Sequence, residues 1–167
     1  MNAVRFLITS AAFGPADAAD VRNPLVEGLA SPLSVPSLSP RFSWELGASP
    51  TNRNLTQTKY RVRVASTAAA FGAADFVADV CDTGLVQSTA STLVSIACVG
   101  RSNAALILAP GSTYFWDVSI ATSDGSAHAM TSPSTFSVGL QGRSDWSPSA
   151  QFVGAAGGAK ASFEFTL

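Results

Sequence analysis

Eleven carboxylates and a single histidine are the groups of this chain that could do acid–base chemistry. Hydrolases that work with paired carboxylates hold two of them about 5–10 Å apart. Asp117 lies on the polar side of an alternating segment, which indicates a solvated or cross-strand paired carboxylate. Asp124 stands in Ser-Asp-Gly, a turn sequence in which Asp bonds its own backbone, and Asp145 is predicted to cap the turn before Trp146. None of these three forms an evident catalytic pair.

Asp82 begins the triplet Asp-Thr-Gly, which is also the sequence around the catalytic aspartate of aspartic proteases. Those enzymes need two carboxylates that share one proton, and this chain has one copy of the triplet. We therefore interpret Asp82 as a structural residue.

His128 stands between two alanines, Ala127 and Ala129, in a polar stretch that we interpret as a surface loop. A nucleophile–base pair would place it next to an activated Ser or Cys, and its neighbours are not distinctive. The sequence also lacks a phosphate-binding loop, a dinucleotide fingerprint and a metal-ligand cluster. We therefore expect no catalytic, cofactor-binding or metal-binding residues.

Two further features concern covalent modification. Cys81 and Cys98 are too few for a structural zinc site, which needs four ligands. They would lie opposite each other if the chain formed a hairpin with its turn at Thr89-Ala90, so we hypothesise a disulfide, although Thr-Ala is a poor two-residue turn. Asn54-Leu55-Thr56 is an N-glycosylation sequon, which matters only if a eukaryotic cell secretes the chain.

Composition limits the class of partner. The 167 residues carry a net charge of −1, and charged residues make up 13%, about half the usual share. Nucleic acid is excluded as a partner because binding it needs a clustered positive surface. A membrane span is excluded because no apolar run approaches about 20 residues. Hydrophobic residues make up 47% of the chain, enough for a substantial core.

Alternating apolar and polar residues predict short β-strands along most of the chain. In "KYRVRVAS" the pattern points Tyr60, Val62 and Val64 inward and Arg61 and Arg63 to water. Other alternating runs are "RFSWEL", "TYFWDVSI" and "STFSVGL", the last with Phe136, Val138 and Leu140 inward. Two further β-rich runs are "CDTGLVQS" and "TLVSIACV", and "ALILAPGS" ends in a Pro-Gly turn. Six or seven such strands with turns between them and almost no helix predict an all-β antiparallel sandwich.

The core and the connections follow from the same pattern. Trp44 and Trp116, on different strands, are predicted to anchor the core. Residues 20–40 are rich in proline and are predicted to form an extended lead-in along a sheet edge. Residues 67–80 are the one helix-friendly stretch, limited by Gly72 to one or two turns.

Three regions are predicted. Residues 1–19 form a leader with a weak signal-like pattern, residues 20–141 form the sandwich, and residues 142–167 form a linker and the first strand of a further domain. That last strand is predicted from the alternation of Phe163, Phe165 and Leu167 after a glycine-rich break. The sequence does not determine the cellular compartment, although it slightly favours secretion.

The order of the motifs resembles the N-terminal fibronectin type III-like domain of bacterial-type α-L-rhamnosidases, which are multidomain glycoside hydrolases. The resemblance spans residues 21–154, and Ser31 departs from it where the family usually has Asn. It rests on these segments, in family order: "VEGLASPLSV", "PRFSWEL", "NLTQTKYRVRVAS", "DTGLVQS", "LAPGSTYFWDVSI", "STFSVGL" and "DWSPSAQFVG".

The resemblance implies a fibronectin type III or immunoglobulin-like sandwich of about seven strands with no catalytic role of its own. In such enzymes an (α/α)-barrel domain supplies the general acid and base, and that domain lies outside this chain. The implied partners are the following domains of the same polypeptide, with Phe115 and Trp146 expected to pack against them. Two alternatives are a stand-alone carbohydrate-binding module, which would bind rhamnose-containing glycans, and a generic adhesion domain.

Overall fold

The computed structural model describes residues 20–47, 54–72, 79–99 and 104–150. Within these ranges the chain forms ten β-strands and two short 3₁₀ turns, at Ala68–Gly72 and Arg143–Asp145. The strands are β1 (Val21–Val26), β2 (Phe42–Leu46), β3 (Gln57–Ala65), β4 (Cys81–Asp82), β5 (Val86–Gln87), β6 (Ala97–Cys98), β7 (Ala104–Ala105), β8 (Thr113–Thr122), β9 (Ala127–Ala129) and β10 (Ser134–Ser137).

The larger sheet has six strands, in the order β10-β8-β3-β4, with β5 also paired to β3 and β9 to β8. Its centre is the long antiparallel pair β3–β8, in which Val62 lies opposite Val118 and Val64 opposite Trp116. These four residues are buried. Their alternation with polar neighbours explains why both segments form strands that are half buried.

The second layer consists of β1–β2 and β6–β7, two antiparallel pairs. Backbone hydrogen bonds between Phe42 and Val94 join the β1–β2 pair to the segment that leads into β6. A further bond from the Leu106 amide to the Ile96 carbonyl extends the β6–β7 pairing. The layer is therefore broader than its named strands.

The core lies between the two layers. The ring of Phe42, on the second layer, meets the ring of Trp116, on the larger sheet, edge to face with centroids 4.8 Å apart. Phe42 also contacts Phe136 at 5.9 Å. Trp44 and Trp116 are 2% and 0% exposed, which confirms the prediction that both anchor the core.

The lead-in contributes to both layers. Its first part is β1, an irregular strand in which the register shifts between Arg22 and Leu25, around Pro24. Proline is tolerated there because it lies at an edge and a bulge. Further along, Val35 pairs in parallel with Val138, beyond the end of β10. The proline-rich stretch thus crosses from one layer to the other.

The predicted hairpin turn at Thr89-Ala90 is wrong. The run before it supplies β4 and β5, which both pair with β3, whereas the run after it pairs with Phe42 and with β7. The two runs enter different sheets. Within the first run Gly84, with φ +59°, separates the short strands β4 and β5. Such breaks also raise the number of strands above the predicted seven.

The fold class is confirmed as an immunoglobulin-like antiparallel sandwich. The predicted leader and the predicted terminal strand lie outside the described residues. Within the described ranges no helix has the length and apolar character needed to cross a membrane.

Candidate functional site

Four charged side chains meet on the outer face of the larger sheet and form what we call the Arg–Asp cluster: Arg61, Arg63, Asp82 and Asp117. The two arginines occupy alternate positions of β3, whose intervening residues face the core. Arg63 aligns with Asp82 of β4 on one side and with Asp117 of β8 on the other. Strand pairing therefore assembles the cluster from three separate parts of the chain.

Each arginine of the cluster holds one aspartate with two nitrogens. Arg61 donates through Nε to Asp82 Oδ1 at 2.9 Å and through Nη2 to Oδ2. Arg63 donates through Nε to Asp117 Oδ1 at 2.8 Å and through Nη2 to Oδ2. Such forked pairs are the strong form of ionic hydrogen bond. Both arginines lie on the outward face as predicted, and they are also half-buried and paired with aspartates, which the sequence pattern did not predict.

The electrostatics of the Arg61–Asp82 pair favour the charged forms of both groups. Burial is the largest single influence on Asp82 and raises its pKa. Hydrogen bonds from Arg61 and Gly84, with the charges of Arg61 and Arg63, outweigh burial, so the pKa of Asp82 lies below its ordinary value. The hydrogen bond to Asp82 likewise raises the pKa of Arg61. A catalytic acid needs a raised pKa at neutral pH, so Asp82 is unsuited to donate a proton.

The Asp-Thr-Gly triplet serves the backbone. Asp82 Oδ1 accepts a 2.8 Å hydrogen bond from the Gly84 amide, and Thr83 Oγ1 accepts one of 2.9 Å from the Val62 amide. The Thr83 hydroxyl in turn donates to the Gly84 carbonyl at 2.8 Å. Both side chains thus stabilise the break between β4 and β5.

Cys81 and Cys98 form a disulfide bond, with Cα atoms 5.1 Å apart. Cys81 lies on β4 of the larger sheet and Cys98 on β6 of the second layer. Both are 2% exposed. The bond therefore links the two layers from inside the core, and the two cysteines meet by sheet packing, without the hairpin predicted from the sequence.

Asp124 and His128, also candidates from the sequence, lie outside the cluster and contact residues close to them in the sequence. Asp124 Oδ1 accepts hydrogen bonds from the Ser126 amide at 3.0 Å and from Thr122 Oγ1 at 2.7 Å. His128 lies on the short strand β9, where a loop was predicted, and its Nε2 is 3.3 Å from Thr122 Oγ1. This histidine is half-buried, and its neighbours form a β-hairpin.

Asn54 lies just before β3 and is exposed, as is Thr56 two residues later. The Thr56 amide donates to Ser123 Oγ at 3.3 Å. The sequon is thus held at the surface beside the turn that follows β8. Its glycosylation stays a prediction.

A shallow groove lies where the chain leaves the sandwich, and we call it the C-terminal groove. It has a volume of about 660 Å³ and is lined by Leu140, Gln141, Gly142, Arg143, Trp146, Ser147, Pro148 and Ala150. Trp146 is 56% exposed. Asp145, the residue before Trp146, accepts hydrogen bonds from the amides of Gln141 and Gly142 at 2.7 and 3.0 Å.

Leu140 is exposed in this groove, which corrects its predicted place in the core. The alternation that buries Phe136 and Val138 ends with them, because β10 ends at Ser137. Leu140 instead lies against the Pro-Gly turn, with its Cδ2 only 3.1 Å from where a Cβ on Gly111 would stand. No pattern in the residues indicated that Leu140 and Gln141 would line a surface groove.

Groups of three or more side chains suited to hold a metal ion are absent from the described ranges. Candidate features of the described sandwich are the Arg–Asp cluster, the Asp-Thr-Gly turn and the C-terminal groove. The first two stabilise backbone and strand pairing, and the groove is an exposed surface.

Comparison with known proteins shows that this chain is similar to part of several α-L-rhamnosidases, which are glycoside hydrolases. The chain is 38% identical over 127 residues to an α-L-rhamnosidase of Streptomyces avermitilis, covering 76% of this chain and 11% of that protein. It thus spans about a tenth of the length of that relative. The crystal structure of the Streptomyces avermitilis α-L-rhamnosidase complexed with L-rhamnose superposes with a TM-score of 0.64 at 36% identity, over 78% of this chain and 11% of that chain.

Two further solved structures share the fold. An α-L-rhamnosidase from Dictyoglumus thermophilum matches with a TM-score of 0.64 at 28% identity, over 76% of this chain and 13% of its own. One from Aspergillus terreus matches with a TM-score of 0.57 at 21% identity, over 83% and 15% respectively. The family model of the Rha78A-like, N-terminal immunoglobulin domain matches residues 21–142. The chain therefore belongs to the Rha78A-like N-terminal immunoglobulin domain family.

Proposed function

We propose that this chain is the non-catalytic N-terminal module of an α-L-rhamnosidase, in which it positions or stabilises the domains that follow. The observation that carries the proposal is the extent of the match, which takes in most of this chain and 11% of the Streptomyces avermitilis α-L-rhamnosidase. The remaining length of that relative is available for the hydrolytic site. The partners of this module are the following domains of the same polypeptide.

The chemistry of the described carboxylates supports a non-catalytic role. Glycoside hydrolysis needs one carboxyl that donates a proton and a second that acts as base or nucleophile. In the Arg–Asp cluster both aspartates are held by forked bonds from arginines. Burial raises the pKa of Asp82, but the hydrogen bonds from Arg61 and Gly84 and the charges of Arg61 and Arg63 outweigh it and lower the pKa, so Asp82 is poorly suited to donate a proton during turnover.

The positioning role is tested by exchanging modules. Residues 21–150 of this chain replace the matching module of the Streptomyces avermitilis α-L-rhamnosidase, and a second form lacks any such module. We expect the chimera to hydrolyse an aryl α-L-rhamnoside and to unfold at a higher temperature than the form without the module. An active chimera whose unfolding temperature equals that of the shortened form would contradict the positioning role.

A further inference from the structure

We propose that the C-terminal groove is the surface on which the next domain of the same polypeptide docks, with Trp146 as its anchor. The proposal rests on the proposed function above and specifies the contact that such a module makes. The groove spans residue 142, where the family match ends, with lining residues on both sides of it.

The anchor is distinguished by its exposure. Trp44 and Trp116 are 2% and 0% exposed, whereas Trp146 is 56% and Leu140 44% exposed. Aromatic side chains are enriched at the centres of protein interfaces, where they supply most of the binding energy. Gln141, Arg143 and Ser147 add polar groups around these two apolar side chains. The composition is that of an apolar centre with a polar rim.

The backbone that presents Trp146 is already ordered by its own hydrogen bonds. Its amide donates to the Arg143 carbonyl at 3.3 Å, and the Ala150 amide donates to the Ser147 carbonyl at 2.9 Å. The two bonds that Asp145 accepts fix the start of the same turn. A surface that is fixed before binding loses less conformational entropy when a partner docks.

The occupant follows from chain continuity. Ala150 is the last of the described residues that line the groove, and residues 151–167 follow it in the sequence, with Phe163, Phe165 and Leu167 predicted to begin the next domain. A tethered domain meets the groove at an effective concentration of about millimolar. A small surface is then sufficient, whereas separate chains usually bury roughly 1,200–2,000 Å². The next domain therefore fits the groove better than a second copy of this chain.

Acrylamide quenching of tryptophan fluorescence tests the proposal, because Trp146 is exposed and the other two of the three tryptophans are buried. The quenching constant is measured for the isolated chain and for the active chimera described above, in which the relative's own tryptophans are replaced by phenylalanine. We expect the constant to fall several-fold in the chimera. Trp146→Ala should also lower the unfolding temperature of the chimera and leave that of the isolated chain unchanged.

Ile107→Ala is the matched control, since Ile107 is 70% exposed and does not line the groove. This substitution should change neither the quenching constant nor the unfolding temperature, in the isolated chain or in the chimera. If the chimera does not fold, the isolated chain is mixed with the relative lacking its own module at about millimolar concentration, which matches the effective concentration of a tether, and the same fall in quenching is expected.

Trp146 that stays fully quenchable in an active chimera, or in the mixture, overturns the docking surface and leaves the proposed function intact. Protection of the isolated chain by L-rhamnose, or by raising its own concentration, also overturns the proposal, because the occupant would then be a sugar or a second copy. Hydrolysis of a rhamnoside by the isolated chain would instead overturn the proposed function, whatever the state of Trp146.

Discussion

The indole Nε1 of Trp44 donates a 2.7 Å hydrogen bond to Oε1 of Gln57, and both residues are buried. The Gln57 amide nitrogen donates in turn to the carbonyls of Ser88 and Ala90, at 3.1 and 2.9 Å. One glutamine thereby satisfies a core tryptophan of the second layer and the backbone that links β5 to the segment before β6. The two layers are joined here by polar bonds as well as by packing.

Gln57→Leu should lower the free energy of unfolding by about 2–4 kcal/mol, because it leaves the Trp44 donor and two carbonyls without their partner. Urea unfolding of the purified chain measures the loss. Gln87→Leu, at an exposed position of β5, is the control and should change little. Equal effects of the two substitutions would show that the Trp44–Gln57 bond contributes nothing.

Removal of the disulfide with Cys81→Ala and Cys98→Ala together should lower the free energy of unfolding by about 3 kcal/mol, the usual value for a closed loop of this length. The separation along the chain is 17 residues. The reduced wild-type chain should lose a similar amount, measured by urea unfolding with and without reductant. Two alkylatable thiols in chain that was purified from an oxidising secretory route would contradict the pairing.

Acid should destabilise the fold partly through Asp82. Burial, the largest influence, raises its pKa, but the arginine bonds outweigh it and the net pKa in the folded chain is lowered. Charged Asp82 therefore stabilises the fold above its unfolded pKa of about 3.9, and this contribution is lost as the pH falls through the folded pKa. Asp82→Asn should cost about 1 kcal/mol at neutral pH, since the pair is partly screened by solvent.

The decisive comparison is the slope of the free energy of unfolding between about pH 5 and pH 2, which Asp82→Asn should flatten. Gln87→Leu, at an exposed position of β5, removes no titratable group and should keep the wild-type slope. If the Asp82→Asn profile runs parallel to that of the wild type, the coupling of Asp82 to Arg61 is refuted.

Asn54 should carry an N-linked glycan when the chain is secreted by a eukaryotic host, because the sequon lies at the surface before β3. Intact mass measured before and after digestion with peptide N-glycosidase F detects it. Asn54→Gln should abolish the difference. A secreted wild-type chain of unmodified mass would show that the sequon is not used.

The long alternating segments could be predicted from the sequence. The runs around Trp44, Tyr60, Trp116 and Phe136 became β2, β3, β8 and β10, because apolar residues at every second position must face one core. The same reasoning failed for the two-residue strands, whose partners are chosen by long-range packing. Short strands such as β4 and β6 carry too few residues for a period to be recognised.

Less of the candidate sites than of the fold could be predicted from the sequence. Outward alternation was correct for Arg61, Arg63 and Asp117, yet their mutual pairing depends on the register of three strands that are distant in sequence. Leu140 was misplaced because an alternating pattern continues in the sequence after the strand has ended. Trp146 was assigned to a linker because a Trp-Ser-Pro turn interrupts the alternation there, and that assignment stays a prediction.

The central claim is that this immunoglobulin-like sandwich is a scaffold for a rhamnosidase and does no hydrolysis itself. It is tested most directly by incubating the purified chain with a chromogenic aryl α-L-rhamnoside, beside the Streptomyces avermitilis α-L-rhamnosidase as positive control. We predict that release of the chromophore stays at the rate of the buffer blank at every chain concentration. Release that rises in proportion to the concentration of the chain, and that is lost in Asp82→Asn or Asp117→Asn, would contradict the claim.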